Sequence, residues 1–218
     1  MKRIYTWTIH DKYARYWTIE SIEVEDIPEN EELYLEKSNT AVLYLAKSSN
    51  PCTVEQWNPP IIKEEIEENE GILFKGDFHS VWSYESYIIS QNMADKIGDI
   101  LLEYGNLFPL EVEDREDNLY RYWVTKEIPF DRVDKNKSKF FDDEYSEDDV
   151  FKIEKLVINE DCSDIPMIFR ISEEYSKTIF VTEEFIELIK KNDLKGFKFI
   201  LDTSYGNTNK PEPYILVG

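Results

Sequence analysis

The apolar and polar positions open with period two. Within residues 2–9, Tyr5, Trp7 and Ile9 fall on one side and Ile4, Thr6 and Thr8 on the other. Alternation of aromatic and β-branched residues predicts a strand. Residues 15–24 repeat the pattern through Trp17, Ile19, Ile22 and Val24, with His10-Asp11-Lys12 as a turn between them. This predicts an N-terminal antiparallel hairpin or meander. Residues 25–32 are acidic, contain Pro28 and read as loop, and residues 41–46 read as a short buried strand. Ser48-Ser49-Asn50-Pro51 and Asn58-Pro59-Pro60 are turn chemistry. Ile62 and Ile66 lie four apart, which predicts one or two helical turns within residues 61–70.

The period then lengthens. After a strand-like Tyr87-Ile88-Ile89, Ser90 is a helix N-cap, because its hydroxyl can accept from a free first-turn amide. Met93, Ile97, Ile100, Leu101 and Tyr104 follow as one apolar stripe, Gly105 ends it, and residues 107–112 return as a strand. The same grammar recurs further on. Thr178-Ile179-Phe180-Val181 is strand-like and Thr182 is the second N-cap. Phe185, Leu188 and Ile189 form the stripe, and Gly196 breaks the pattern before Phe197, Phe199 and Leu201 alternate. Glu183 and Glu184 occupy the first turn and Lys190 and Lys191 the last, in keeping with the helix dipole. Two strand–helix–strand segments with matching caps make a candidate internal duplication. Residues 120–124 and 167–171 are further short strands. The fold class expected is α+β, mostly antiparallel strands with two or three helices packed on one face. The expected division is a β-rich N-terminal lobe, residues 1–70, and an α+β domain, residues 71–218. The boundary falls near residues 58–75, with one compact domain as the alternative.

Charge changes the picture more than composition does. The 218 residues carry a formal net charge of −21, spread along the whole chain. Such a field repels nucleic-acid phosphates and anionic membrane and steers a basic partner inward. Aromatic residues are 14 % of the chain, which marks it as folded despite the charge, since disordered chains are poor in them. Two dense acidic runs stand out. One contains Glu64, Glu65, Glu67, Glu68 and Glu70; the other contains Asp142, Asp143, Glu144, Glu147, Asp148 and Asp149.

Little else carries chemistry. His10 and His79 are the only histidines, and Cys52 and Cys162 lie far apart without metal-ligand spacing. The acidic run from Asp142 lacks the glycine and the spaced ligands of a calcium loop. With seven glycines and no phosphate-cradling motif, a nucleotide loop is not expected. No catalytic, cofactor or metal residues are assigned. The lysine and arginine near the start are not followed by an apolar run, and no stretch reaches the ~18 residues of a membrane span. A cytoplasmic protein is expected.

The C-terminal half resembles the immunity-protein-11 family of bacterial polymorphic toxin systems. The residues that carry the resemblance are Met167-Ile168-Phe169-Arg170-Ile171, then Ile179-Phe180-Val181-Thr182-Glu183-Glu184-Phe185, then Asn192-Asp193-Leu194-Lys195-Gly196-Phe197-Lys198-Phe199. It extends over roughly residues 75–202. It implies a protein that protects its host by binding a cognate toxin domain, with no catalytic residues to carry over. A toxin with a basic surface would be drawn to the two acidic runs, which are the expected partner-binding residues. Neither nucleic acid nor membrane is an expected partner. The rival readings are an acidic interaction module or nucleic-acid mimic without a toxin, and an enzyme whose site is assembled from scattered acids.

Overall fold

Strand β1 (Ile4–Ile9) is the first alternating segment, and it lies in the middle of a sheet. It pairs antiparallel with β12 (Phe180–Thr182) on one side and with β13 (Phe197–Ile200) on the other. The computed structural model describes residues 3–9, 16–19, 61–65, 76–81, 84–112, 118–141, 152–159, 164–172, 178–201 and 214–217. They belong to two compact units interleaved along the chain. The first is Met1–Asp11, Glu103–Gly105 and Val124–Gly218; the second is Lys12–Leu102 and Asn106–Trp123.

The first unit is a six-stranded sheet in the order β14-β13-β1-β12-β11-β8. The remaining strands are β14 (Tyr214–Val217), β11 (Ile168–Ile171) and β8 (Glu127–Ile128). Every neighbouring pair is antiparallel except β11 with β8. The register places Tyr5, Trp7, Val181, Phe197 and Phe199 on one face. Helix α2 (Glu183–Lys191) buries Phe185, Ile186 and Ile189. Phe185 meets Trp7 at 4.9 Å and Phe199 edge-on at 6.2 Å between ring centroids. Trp7 is fully buried; aromatic burial of this kind contributes roughly 1.5–3 kcal/mol per ring, with a further ~0.5–1.5 kcal/mol from ring geometry. The opposite face carries Ile4, Phe180, Phe169, Ile171 and Ile128. These pack with Val133, Ile153, Leu156 and Ile158 into a second cluster, with Phe130 and Phe140 against it. Ile153 comes from β10 (Lys152–Lys155), which pairs with β9 (Lys139–Phe141) as a separate two-stranded ribbon.

The second unit is a closed six-stranded barrel in the order β2-β3-β6-β7-β5-β4. Its strands are β2 (Tyr16–Ile19), β3 (Ile61–Glu65), β4 (Phe78–Val81), β5 (Tyr84–Ser90), β6 (Gly105–Val112) and β7 (Leu119–Val124). The pairs β2–β3, β4–β5 and β5–β7 are antiparallel, and β2–β4 and β3–β6 are parallel. Closure leaves no unpaired edge. Ile62, Ile88, Leu110 and Leu119 form a buried cluster with Val112 packed on it. Helix α1 (Gln91–Tyr104) buries Met93, Ile97, Gly98 and Leu101, and the Tyr122 hydroxyl of β7 donates to the Leu101 carbonyl at 3.1 Å.

The chain is therefore α+β, mostly antiparallel, with two helices among the described residues, each packed against strands. Three expectations are corrected. β1 and β2 form no hairpin with each other, because β1 is completed by β12 and β13, and β2 by β3 and β4. Residues 61–65 are strand and not helix. The spacing of Ile62 and Ile66 fits both periods, and pairing with β2 decides between them. The units do not divide at residues 58–75, since strand pairing joins residues 4–9 to the C-terminal sheet. The segments 20–60 and 202–213, with the strand expected at 41–46, lie outside the described residues, as do Cys52 and Cys162. β14 went unforeseen. Both strand–helix–strand segments exist, and in each a further strand separates the two flanking strands: β7 between β5 and β6, and β1 between β12 and β13. This is a likeness of arrangement; common descent of the two segments does not follow from it. No helix among the described residues is long and apolar enough to cross a membrane.

Gly98 supplies a test of how α1 is packed. A Cβ there would lie 3.9 Å from Leu107 Cδ1, an ordinary contact. Alanine would remove the entropic penalty of a helical glycine, worth roughly 0.5–1 kcal/mol. Gly98→Ala is expected to raise the urea midpoint without altering the m-value. A lowered midpoint would mean that α1 sits closer to the strands than described.

Candidate interaction surfaces

The start of α1 is held by a polar network. Ser90 stands at the N-cap, and its Oγ accepts from the Met93 amide at 3.1 Å. The same hydroxyl donates to Asp77 Oδ1 at 2.7 Å, and Asn92 Nδ2 donates to that oxygen at 2.7 Å. The Ser90 amide donates to the Asp77 carbonyl at 3.0 Å. Asp77 is buried, so its side-chain oxygens need these donors. Around it, the Gln91 amide donates to the Asn118 carbonyl at 3.1 Å. The Tyr120 hydroxyl donates to Gln91 Oε1 at 3.0 Å, and Gln91 Nε2 donates to Asp95 Oδ1 at 2.6 Å. The network fixes the start of α1 against β4, β5 and β7. Because the Ser90 hydroxyl is engaged as both donor and acceptor, it is a cap and not a poised nucleophile. Ser90 was legible as a cap. Asp77 was not, since it lies 13 residues upstream and no local period points to it.

The second helix is capped differently. Thr182 occupies the N-cap position in extended geometry without a side-chain cap bond. Its hydroxyl donates to Glu184 Oε2 at 3.2 Å, which corrects the expected acceptance from an amide. At the other end, Asn192 Nδ2 donates to the Leu188 carbonyl at 2.9 Å. Asp193 and Gly196, both at positive φ, then turn the chain into β13. Glycine takes that conformation without steric cost.

The expected acidic surface is only partly within the described residues. Glu64 and Glu65 lie on β3, in register with Trp17 and Tyr16 of β2. Glu67, Glu68 and Glu70 lie outside the described residues, as do Asp142, Asp143, Glu144, Glu147, Asp148 and Asp149. A different acidic surface is present on α1. Asp95, Asp99 and Glu103 are exposed and spaced four apart, with Lys96 among them and Leu102 beside them. Leu102 is 55 % exposed. Four-residue spacing places the three acids along one side of the helix. Searching for dense runs missed them, because a helical stripe shows as a period and not as a run.

Helix α2 and α1 treat their charges in opposite ways. α2 has acids in its first turn and lysines in its last, as the dipole favours. α1 has no acid in its first turn and no base in its last, and Glu103 stands at its negative end. The pairs Asp95/Asp99 and Asp99/Glu103 are like-charged at i,i+4, each unfavourable by roughly 0.2–0.5 kcal/mol.

Among the described residues no group of three or more His, Cys, Asp and Glu could hold a metal ion. Buried Arg121 lies over Trp123 at 5.2 Å, and Arg170 Nη2 donates to the Val124 carbonyl. Arg132 Nη2 pairs with Asp164 Oδ1 at 2.6 Å, and this hydrogen bond holds the Asp164 carboxyl below its ordinary value of 3.8. Asp134 is also lowered. Burial works upward there but is outweighed by hydrogen bonds from Lys137 and from the Asn136 and Lys137 amides.

A depressed aspartate stabilises the fold above its unfolded value and stops doing so as pH falls through the folded one. Asp164 is 78 % exposed and solvent screens the pair, so Asp164→Asn is expected to lower the urea midpoint only slightly at neutral pH. The gap to the parent should close as pH falls below about 4. A gap that persists into strong acid would assign the effect to packing instead.

No protein-family model matches the chain, and no curated protein matches it. The family resemblance thus rests on the residues quoted for it.

Proposed function

We propose that this chain is an immunity protein that binds a cognate bacterial toxin domain and neutralises it by direct contact in the cytoplasm. The observation that carries the reading is the acidic stripe of α1, set in a chain of net charge −21. Asp95 accepts from Gln91 within the helix, but Glu103 opposes the helix dipole and Asp99 is repelled from both sides, so these last two charges do not serve the helix. They suit an exposed face that attracts a basic protein surface, here with Leu102 as an apolar contact beside them. The resemblance adds a consistent frame. Its three quoted segments form β11, then β12 with the start of α2, then the turn and β13, and the three strands belong to one sheet. Most of these side chains are core or cap residues, so they speak to fold, and the partner-facing chemistry lies elsewhere.

The chain acts in this reading by occupation and not by catalysis. A toxin that carries a basic cleft for nucleic acid would meet a surface of opposite sign, and the encounter would be accelerated roughly 10- to 1,000-fold by steering. The test is co-expression with the C-terminal domain encoded by the gene immediately upstream, scored by co-purification and by rescue of host growth. A stable complex with rescue supports the proposal. Absence of both sinks it, and a complex without rescue would favour the acidic interaction module.

Glu103→Lys separates stability from recognition. The exchange turns the Asp99/Glu103 repulsion into a favourable pair and puts a cation at the helix C-terminus. A gain of about 0.5–1 kcal/mol in unfolding free energy is expected. Association with the toxin should slow severalfold at low salt, and its salt dependence should flatten. Unchanged association would make the stripe a solvated face.

A further inference from the structure

β14 is one edge of the six-stranded sheet. Its sequence is Tyr214-Ile215-Leu216-Val217, apolar throughout. The other edge is β8, only two residues long. A short edge is protected by its shortness, and charge or proline protects longer ones; β14 has neither. Tyr214 and Leu216 are 44 % and 45 % exposed.

The direction of the β14 backbone follows from the ladder. In antiparallel pairing, successive residues bond alternately to the two flanking strands. The Trp7 amide donates to the Ile179 carbonyl, so the odd residues of β1 face β12 and Thr6 and Thr8 face β13. Thr6 and Thr8 are opposite Ile200 and Lys198, so Phe197 and Phe199 face β14. Their partners are Val217 and Ile215. The amides and carbonyls of Tyr214 and Leu216 therefore point away from the sheet. Nothing among the described residues pairs with that edge.

We infer that this edge receives an extended segment of the partner protein as a seventh strand, a segment that joins apolar residues to basic ones. The inference rests on the proposed toxin-binding reading and adds to it a second contact and its geometry. Backbone bonds to Tyr214 and Leu216 would supply affinity, and their exposed side chains would select apolar partners. A second copy of this chain is a poorer occupant. Two copies each of charge −21 repel, and a four-residue edge buries far less than the ~1,200–2,000 Å² of a stable interface. A basic partner gains from the same charge. Lys198, whose Nζ lies 5.3 Å from the Tyr214 ring centroid, adds one local positive charge that a neutral apolar side chain tolerates.

Amide hydrogen exchange on the free protein and on the co-purified toxin complex tests this. In the free protein the Tyr214 and Leu216 amides should exchange fast and those of Ile215 and Val217 slowly. In the complex all four should be slow. Leu216→Pro removes an outward donor while sparing the bonds to β13, and should weaken toxin binding by about tenfold or more with an unchanged urea midpoint. Leu216→Lys keeps the amide and places a like charge against a basic segment, and serves should the proline variant fail to fold. If the toxin binds and rescues growth while Tyr214 and Leu216 stay fast and the folded variants bind as the parent does, the edge inference is overturned and the immunity reading stands. Protection in the free protein that grows with concentration would assign the edge to a second copy and overturn it too. Absence of any toxin complex overturns both.

Discussion

The packing of Trp7 against Phe185 and Phe197 is the interaction on which the first unit depends. Trp7 sits on the central strand, Phe185 on the helix and Phe197 on the strand beside it. One ring thus fixes the helix to the sheet and β1 to β13 together. The α2 apolar stripe could not be buried without a face of this width, and the face exists only because β1 lies between β12 and β13. The opposite side of β1 contributes Ile4 to the second cluster. Both layers of the unit therefore pass through six residues at the start of the chain.

Much of the local structure was legible because it obeys a period. The alternation of residues 4–9, the stripe from Met93 to Leu101 and the cap at Ser90 each state their element within a few residues. What the sequence withheld was non-local. β1 and β2 look like a hairpin because both alternate and a turn lies between them, yet each finds its partners far away. The strand at Ile61–Glu65 is settled by β2, whose aromatic and β-branched residues offer a ladder that an isolated acidic helix could not match. β14 was missed because four apolar residues after a proline-rich stretch carry no period long enough to read.

The surface was harder to read than the core. A dense acidic run attracts the eye, while a helical stripe of Asp95, Asp99 and Glu103 is diluted by the buried residues between its members. The two helices differ in how they place their terminal charges. α2 places every terminal charge where its own dipole wants it, so the contrary placement in α1 does not reflect indifference of this fold to helix electrostatics. The network at Asp77 keeps that helix start fixed, which lets a costly set of charges be presented at a constant position.

The placement of β1 has a consequence for the order in which the protein is made. Trp7 pairs with Phe199, so all the residues between them must leave the ribosome before β1 can be enclosed. At about 5–20 residues per second of synthesis, that is a wait on the order of ten seconds or more. The barrel closes with residues no later than Val124, and can form while the sheet is still being synthesised. Folding is thus biased to run from the second unit to the first. Slow closure of such long-range pairings makes the N-terminal strand the segment that nascent-chain chaperones would have longest to hold.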